Sequence, residues 1–375
     1  MKKRNSNFEL MRIVSMLFIV IGHTLSWGGV TDLSSETLKL LIYIVYALIT
    51  VHVNSFILLT GYFQLQSKFK SRKVINLLFL MLFYRVFCLF LAWKIGWMQY
   101  DGIGSILLKL LPLSNFSYWY LNVYIVLYLL SPYLNIFINN IGKKKYDILL
   151  GILFIFCSIV TRVTMQEFLS NEDGYSLIQF IFMYLLGGYL KKYDSQISIK
   201  LKKRKIGTNS SAFVYFTIYF ILGIIKFLLN YAGEVEKMPF GFLNILFKYS
   251  FDRLIYDDPL VILQSIAYFL IFKNIKLNNK FVNLLSKGTN EVYLFHMNKS
   301  FRANLYLSLG LNLNFYALKS VSRIFFVVAE IYLIGIFIYF VRKFIFKILS
   351  KSLILRKLNQ KLENKCGLFD VYINS

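Results

Sequence analysis

Two ionisable side chains on one apolar stretch define the chemistry this chain offers. Residues 8–29, FELMRIVSMLFIVIGHTLSWGG, read as a membrane-crossing helix with Arg12 at its inner edge and His23 towards its outer edge. The eleven-residue spacing predicts that both side chains share one helical face, about 16 Å apart along the axis. Ionisable groups inside a membrane are costly and point to function by default. Histidine titrates near neutrality, which suits a general base. The plainer alternative is an interfacial anchor at Arg12 and a hydrogen-bonded polar residue at His23.

Further polar residues interrupt other apolar runs. Arg85 lies mid-span in FYRVFCLF, Glu291 and His296 enter a later run in GTNEVYLFHMNKSF, and Glu330 lies in the last. A structural ion pair of Arg85 with Glu291 or Glu330 is the competing explanation for these charges. No nucleophile elbow, metal-ligand cluster or glycine-rich phosphate loop is present in the sequence. The remaining set is histidine with arginines and a glutamate. It suits a base that activates a hydroxyl, with cations that stabilise an oxyanion or grip a phosphorylated cofactor. A proton-coupled transporter uses the same residue types. His52, the third histidine, reads as a packed polar residue.

The elements that position these residues follow from composition. The 375 residues are 57% hydrophobic, with 37 Phe and 27 Tyr, and apolar runs recur from end to end. Such a chain has no soluble way to bury its surface, so the expected fold is all-α, a polytopic integral membrane bundle. About ten transmembrane helices are expected, over residues 10–28, 41–62, 74–95, 119–138, 147–163, 175–190, 210–229, 256–272, 289–306 and 323–341. Segments drawn inside hold 30 of the 43 Lys and Arg against five acidic residues in and beside them, while the outer segments are near balance. By the positive-inside rule both termini are cytoplasmic.

The formal charge of +25 sits in short loops between spans. It reads as topology signal and attraction to anionic membrane lipids, with no nucleic acid as partner. Cys88, Cys157 and Cys366 lack metal or disulfide spacing and read as small apolar residues. The first span is too long, and lacks the small-residue site, for a cleavable signal peptide. Trp97, Trp119, Tyr120, Tyr231 and Tyr249 in the outer loops suit an interfacial belt or sugar platforms. Residues 1–341 form the expected membrane domain. Residues 342–375 form a basic tail whose Ile and Leu spacing suits an amphipathic helix on the inner leaflet.

In order along the chain, several blocks resemble the membrane-bound acyltransferase-3 family, ten-helix proteins that O-acetylate bacterial surface polysaccharides and related glycans. NFELMRIVSMLFIVIGH resembles the family opening, an acidic residue three before an arginine and then, after ten residues, a histidine; Glu9, Arg12 and His23 fill those places. VNSFILLTGYFQL resembles the family's second helix, with Gly61 after a small residue. SYWYLNVYIVLYLLSPYLN resembles its aromatic pattern with a downstream proline. YDDPLVILQSIAYFLIF and SKGTNEVYLFHMNKSF resemble the last blocks, the latter a Tyr-Leu-x-His pattern containing His296.

The resemblance implies transfer of an acyl group, acetyl foremost, from cytoplasmic acetyl-CoA to a glycan or lipid-linked saccharide hydroxyl, in a bacterial cytoplasmic membrane, with no metal. It implies a site around His23, Arg12, Glu9 and His296, with His23 as base or acetyl relay; Arg85 and Glu291, the intramembrane charges above, are the further candidate catalytic residues. Family members often carry Arg-x-x-Arg at the start of the third helix, and this chain departs from that spacing. Lys68, Lys70, Arg72 and Lys73 stand there instead as the expected contacts for coenzyme A phosphates. The principal alternative is a transporter or flippase of a polysaccharide precursor, which would leave its substrate chemically unchanged. A glycan polymerase would need catalytic arginines in a large outer loop, where only scattered ones such as Arg253 stand.

Overall fold

The computed structural model describes residues 4–28, 36–97, 102–111, 113, 118–164, 171–194, 208–234, 254–309 and 317–374. Every regular element among them is helical. In chain order these are α1 (Ser6–Trp27), α2 (Glu36–Ile49), α3 (His52–Gln64), α4 (Ser71–Lys94), α5 (Ile103–Leu110), α6 (Trp119–Asn140), α7 (Lys143–Phe154) and α8 (Thr161–Thr164). Then follow α9 (Leu177–Lys192), α10 (Thr208–Glu234), α11 (Pro259–Asn274), α12 (Lys280–Leu285), α13 (Thr289–His296), α14 (Arg302–Ser308), α15 (Ala317–Leu349) and α16 (Leu353–Asn374).

Seven helical stretches among the described residues are long and apolar enough to cross a membrane: 6–27, 40–64, 71–94, 119–140, 143–164, 210–231 and 322–349. The chain is therefore an all-α, polytopic membrane bundle. One expectation is corrected. Residues 289–306 do not form one helix; they break into α13 and α14. Asn298 closes the turn between them, its Oδ1 accepting from Ser300 N at 3.1 Å and its carbonyl from Arg302 N at 2.8 Å. Hydropathy registers the apolar composition of this stretch but not a side chain that competes for the backbone.

The helices group into two compact units, Met1–Gln66 with Tyr133–Ser286, and Ser67–Pro132 with Lys287–Ser375. In the first, α3 and α9 pack backbone to backbone. A Cβ on Gly61 would lie 2.1 Å from Tyr184 O, and one on Gly187 would lie 2.3 Å from Leu58 O. Only glycine permits that approach, a common device where helices meet in lipid. Phe8 of α1 packs its ring among Tyr62, Phe63 and Phe269, tying α1 to α3 and α11. Asn7 Nδ2 donates to Phe272 O at 2.9 Å, which fastens the start of α1 to the end of α11.

Two irregularities in the first unit are stabilised locally. The helix pair α2–α3 breaks at Thr50–Val51, and His52 Nδ1 donates to the Ile49 carbonyl at 2.7 Å. Between α7 and α8 the chain widens into a π-turn over Ile155–Val160. There the Cys157 carbonyl accepts from Asn171 Nδ2 at 3.0 Å, and Ser158 Oγ donates to Asp257 O. Single π-turns of this kind recur at functional sites.

In the second unit α13 lies against α15, with a Cβ on Gly335 only 2.7 Å from Val292 Cα. The first part of α6, up to Pro132, also belongs here. Pro132 has no N–H for the Tyr128 carbonyl, and Ser131 Oγ donates to that carbonyl instead, at 2.7 Å. The helix therefore continues through a proline, as membrane helices tolerate. At its far end the chain folds back as α16, which docks on the start of α4. Ser71 N donates to Asp370 Oδ1 at 2.7 Å, Phe69 N to Asn374 Oδ1 at 2.8 Å, and Arg72 to Asn359.

Candidate active site

α1 carries the first group of candidates on one unbroken helix. Glu9 is buried, and its carboxylate accepts from Arg12 Nη1 at 3.1 and 3.2 Å, with Arg4 3.7 Å away. The i, i+3 spacing makes the two neighbours on the helix surface. The buried acid thus fixes the direction of Arg12, whose side chain remains 36% exposed.

His23 is half-buried on a turn that is held from two sides. A Cβ on Gly22 would lie 3.5 Å from both Ile49 and Leu254, and Tyr46 OH donates to Gly22 O at 3.3 Å. Thr24 and Ser26 return their hydroxyls to the carbonyls of Val20 and Gly22, so this polar end of α1 satisfies its own side chains.

A buried polar network in the same unit was not expected from the sequence. His52 Nδ1 donates to a carbonyl, so Nε2 is the acceptor and takes the Tyr256 hydroxyl proton at 3.2 Å. Asn54 Nδ2 and Gln179 Nε2 both donate to Tyr256 O, at 2.8 and 3.1 Å. Next along the chain, Asp257 is fully buried and accepts from Arg162 Nη2 at 2.8 Å and Asn171 Nδ2 at 3.2 Å. Asp258 caps α11 by accepting from Leu260 N and Val261 N, with Pro259 at the first helical position.

The sequence YDDP is thus a knot that joins α3, the π-turn, α9 and α11. Of the two residues that flank Gly22, Leu254 lies two positions before Tyr256, and Ile49 carries the carbonyl that His52 Nδ1 reaches. The signal that could have pointed to it was the run of two acids before a proline.

The other candidates lie in the second unit. Arg85 pairs with neither Glu291 nor Glu330, which corrects the expected ion pair. Its Nη1 donates to the Lys109 carbonyl at 2.8 Å, and its guanidinium lies 5.2 Å from the Tyr118 ring centroid. Glu291, buried, accepts from Arg342 Nη2 at 2.6 Å, and Glu330 lies 3.5 Å from Arg323. A single carboxylate can satisfy one such partner well, and here the adjacent helix supplies it. His296 is fully buried, with Nδ1 donating to Val292 O at 2.6 Å.

Lys68, Lys70 and Lys73 are exposed around the start of α4. Lys70 N donates to Tyr128 OH at 3.1 Å, and Lys73 Nζ lies 5.3 Å from the Tyr128 ring centroid. From there a row of stacked rings, Phe69, Tyr128, Tyr124 and Tyr120, runs along one face of α6. Among the described residues no three His, Cys, Asp or Glu gather as a metal site.

Comparison with known proteins adds one finding. A family model described as an acyltransferase domain, the third of that family series, matches residues 5–342. The match takes in α1 through most of α15, and with them every candidate residue above. No curated protein and no solved structure is detectably similar.

Proposed function

Because the chain belongs to the membrane-bound acyltransferase-3 family, we propose that it moves an acyl group, acetyl foremost, from cytoplasmic acyl-CoA to a hydroxyl of a cell-surface or lipid-linked glycan. Family membership makes the activity acyl transfer, and the long apolar helices make the chain a multi-pass membrane protein. In this reading it works in a bacterial cytoplasmic membrane with both termini inside. The ten crossings are the seven long stretches together with α9, α11 and the broken pair α13–α14. Residues 1–341 are the catalytic membrane domain, and residues 342–375 are the basic cytoplasmic tail.

The observation that carries the reading is α1. It is unbroken from Ser6 to Trp27, with Arg12 aimed by a buried Glu9 at one end and His23 on a held turn at the other. His23 takes the proton of the acceptor hydroxyl, whose oxygen attacks the thioester carbonyl. The carbon–sulfur bond breaks, coenzyme A leaves as the thiolate and is protonated, and an ester remains on the sugar. Alternatively the imidazole accepts the acetyl group first and passes it on.

Arg12 serves the donor side, where a cation stabilises negative charge as it develops. Arg85, Glu291 and His296 are the further candidate catalytic residues of this reading, all in the second unit. Lys68, Lys70, Arg72 and Lys73 take the coenzyme A phosphates, and the ring row beside them offers an apolar wall to the acyl-bearing arm.

The test is mass spectrometry of surface glycans from matched strains with the wild type, His23→Ala and no protein, at equal membrane levels. Acetyl mass that appears with the wild type alone supports the reading. Unchanged glycan in all three strains, across capsule, wall and lipid-linked fractions, overturns it.

A further inference from the structure

We infer that α16 is a positioning clamp for the coenzyme A phosphates, acting through the basic residues at the start of α4. The inference deepens the proposed function and rests on its assignment of Lys68, Lys70, Arg72 and Lys73 to those phosphates. In that topology the start of α4 and residues 342–375 lie on one side, the cytoplasmic one. α16 itself lies beyond residues 5–342, the stretch that the family model matches. The clamp is an addition to the matched domain.

The four cations stand where a helix cannot hold them all. α4 begins at Ser71, so Lys68 and Lys70 precede it, and the first N–H groups of a helix have no partner within it. Lys70, at the N-cap position, provides no side-chain bond either. Left to itself this stretch would sample many conformations, and an arriving phosphate would have to order it.

α16 supplies the missing bonds from one face. Asn359, Cys366, Asp370 and Asn374 follow one another at spacings of seven, four and four, which puts them on one stripe of the helix. Asn374 meets Phe69 twice, its Oδ1 accepting from Phe69 N at 2.8 Å and its Nδ2 donating to Phe69 O at 3.1 Å. Asp370 Oδ1 accepts from Ser71 N at 2.7 Å, and Arg72 donates to Asn359. α6 closes the other side, where Tyr128 OH accepts from Lys70 N at 3.1 Å and the Tyr128 ring stacks on Phe69 with centroids 5.2 Å apart.

The result is a fixed backbone with adjustable side chains. Phe69 is 3% exposed between Lys68 and Lys70, which are both exposed, as is Lys73. Ammonium groups on a backbone already in place meet an anion without the cost of ordering the chain. The far stripe of α16 carries Lys357, Lys361 and Lys365, all exposed. A basic helix beside a basic segment is repelled, so the hydrogen bonds and the contact of Phe69 with Phe369, not net charge, hold α16 there.

The experiment uses the full chain in nanodiscs of neutral lipid and measures affinity for acetyl-CoA and for S-acetylpantetheine, which has the same thioester arm and no phosphate. Variants are compared at equal monodisperse fraction. Asn374→Ala removes both bonds to Phe69 without a change of charge. It should weaken acetyl-CoA about fivefold, the scale of ordering the freed stretch, and S-acetylpantetheine less than about twofold. Asp370→Ala should act in the same direction. Asp370→Asn keeps an acceptor for Ser71 N and removes a negative charge near the phosphates, so it should bind acetyl-CoA at least as well as the wild type. Lys361→Ala, on the far stripe, should change affinity less than about twofold.

A merely structural role for α16 would weaken both ligands alike, and that outcome overturns the clamp. So does an unchanged affinity in Asn374→Ala, or an Asp370→Asn protein as weak as Asp370→Ala. Tighter acetyl-CoA binding in Asn374→Ala would make α16 an obstruction and overturn the clamp as well. Each of these results leaves the donor reading standing. Absence of acetyl-CoA binding in the wild type and every variant overturns the donor reading, and the clamp with it.

Discussion

In the first unit Arg12 meets Glu9, Arg162 meets Asp257 and Lys273 meets Asp194, each cation bonded to a carboxylate of its own unit. Among its described residues the second unit has two such pairs, Arg342 with Glu291 and Arg323 with Glu330. It also holds Arg85 with a carbonyl and a ring beside Lys109 and Lys299, and it crowds Lys68, Lys70 and Lys73 at the start of α4. The contrast separates two uses of charge. Arg162 with Asp257 and Arg342 with Glu291 join residues of different segments around a buried carboxylate, which holds those segments in register. Arg85 meets a carbonyl and a ring face among the described residues.

If the first unit is the rigid frame, its helix contact is the place to break it. Gly61→Leu drives side-chain atoms into the Tyr184 carbonyl, so the folded, monodisperse fraction should vanish in fluorescence-detected size exclusion. Gly61→Ala should cost about 1–3 kcal/mol or more, because the neighbour is backbone and has no rotamer to yield. A folded Gly61→Leu protein would show that the α3–α9 approach does not hold this unit together.

Next in size is Arg162→Ala, which leaves the fully buried Asp257 carboxylate without its cation. A loss of about 3–5 kcal/mol in denaturant unfolding is expected, and adding Asp257→Asn should recover part of it. A double-variant loss equal to the sum of the two single losses would mean that the pair is not coupled.

The smallest effect belongs to the second unit. Asp370→Ala removes the carboxylate bonded to Ser71 N, where Lys70, the residue preceding α4, provides no side-chain cap. A loss of about 0.5–2 kcal/mol is expected, seen as faster hydrogen exchange over residues 353–374 and 67–74 with the remaining helices unchanged. Exchange that does not change would show that α16 is held by its apolar contacts alone.

Local patterns are legible in the order of residues, and partnerships across the chain are not. The helix with Arg12 and His23, the starts of α4, α6 and α9, and the long final helix all follow from runs of apolar residues, because helix formation depends on neighbours three and four positions away. The partner of Glu291 is 51 residues on, at Arg342, and the hydroxyl that holds His52 is 204 residues on, at Tyr256. Nothing in the local sequence distinguishes Arg342 from Arg85 as the partner of Glu291. The break at Asn298 is hidden for a related reason, since an apolar average does not register one amide that closes a turn.

By itself, then, the sequence determined that this chain is an all-α membrane protein of the acyltransferase-3 kind, with an arginine and a histidine on one helix. Composition and periodicity are properties of short stretches, and lipid forces such stretches to satisfy their backbone internally. The tertiary structure alone decided which charges neutralise one another, which histidine is locked in one tautomer, and that α16 docks on the start of α4. Those outcomes depend on distances between residues far apart in the chain, and electrostatic and hydrogen-bond energies fall too steeply with distance for sequence order to stand in for them.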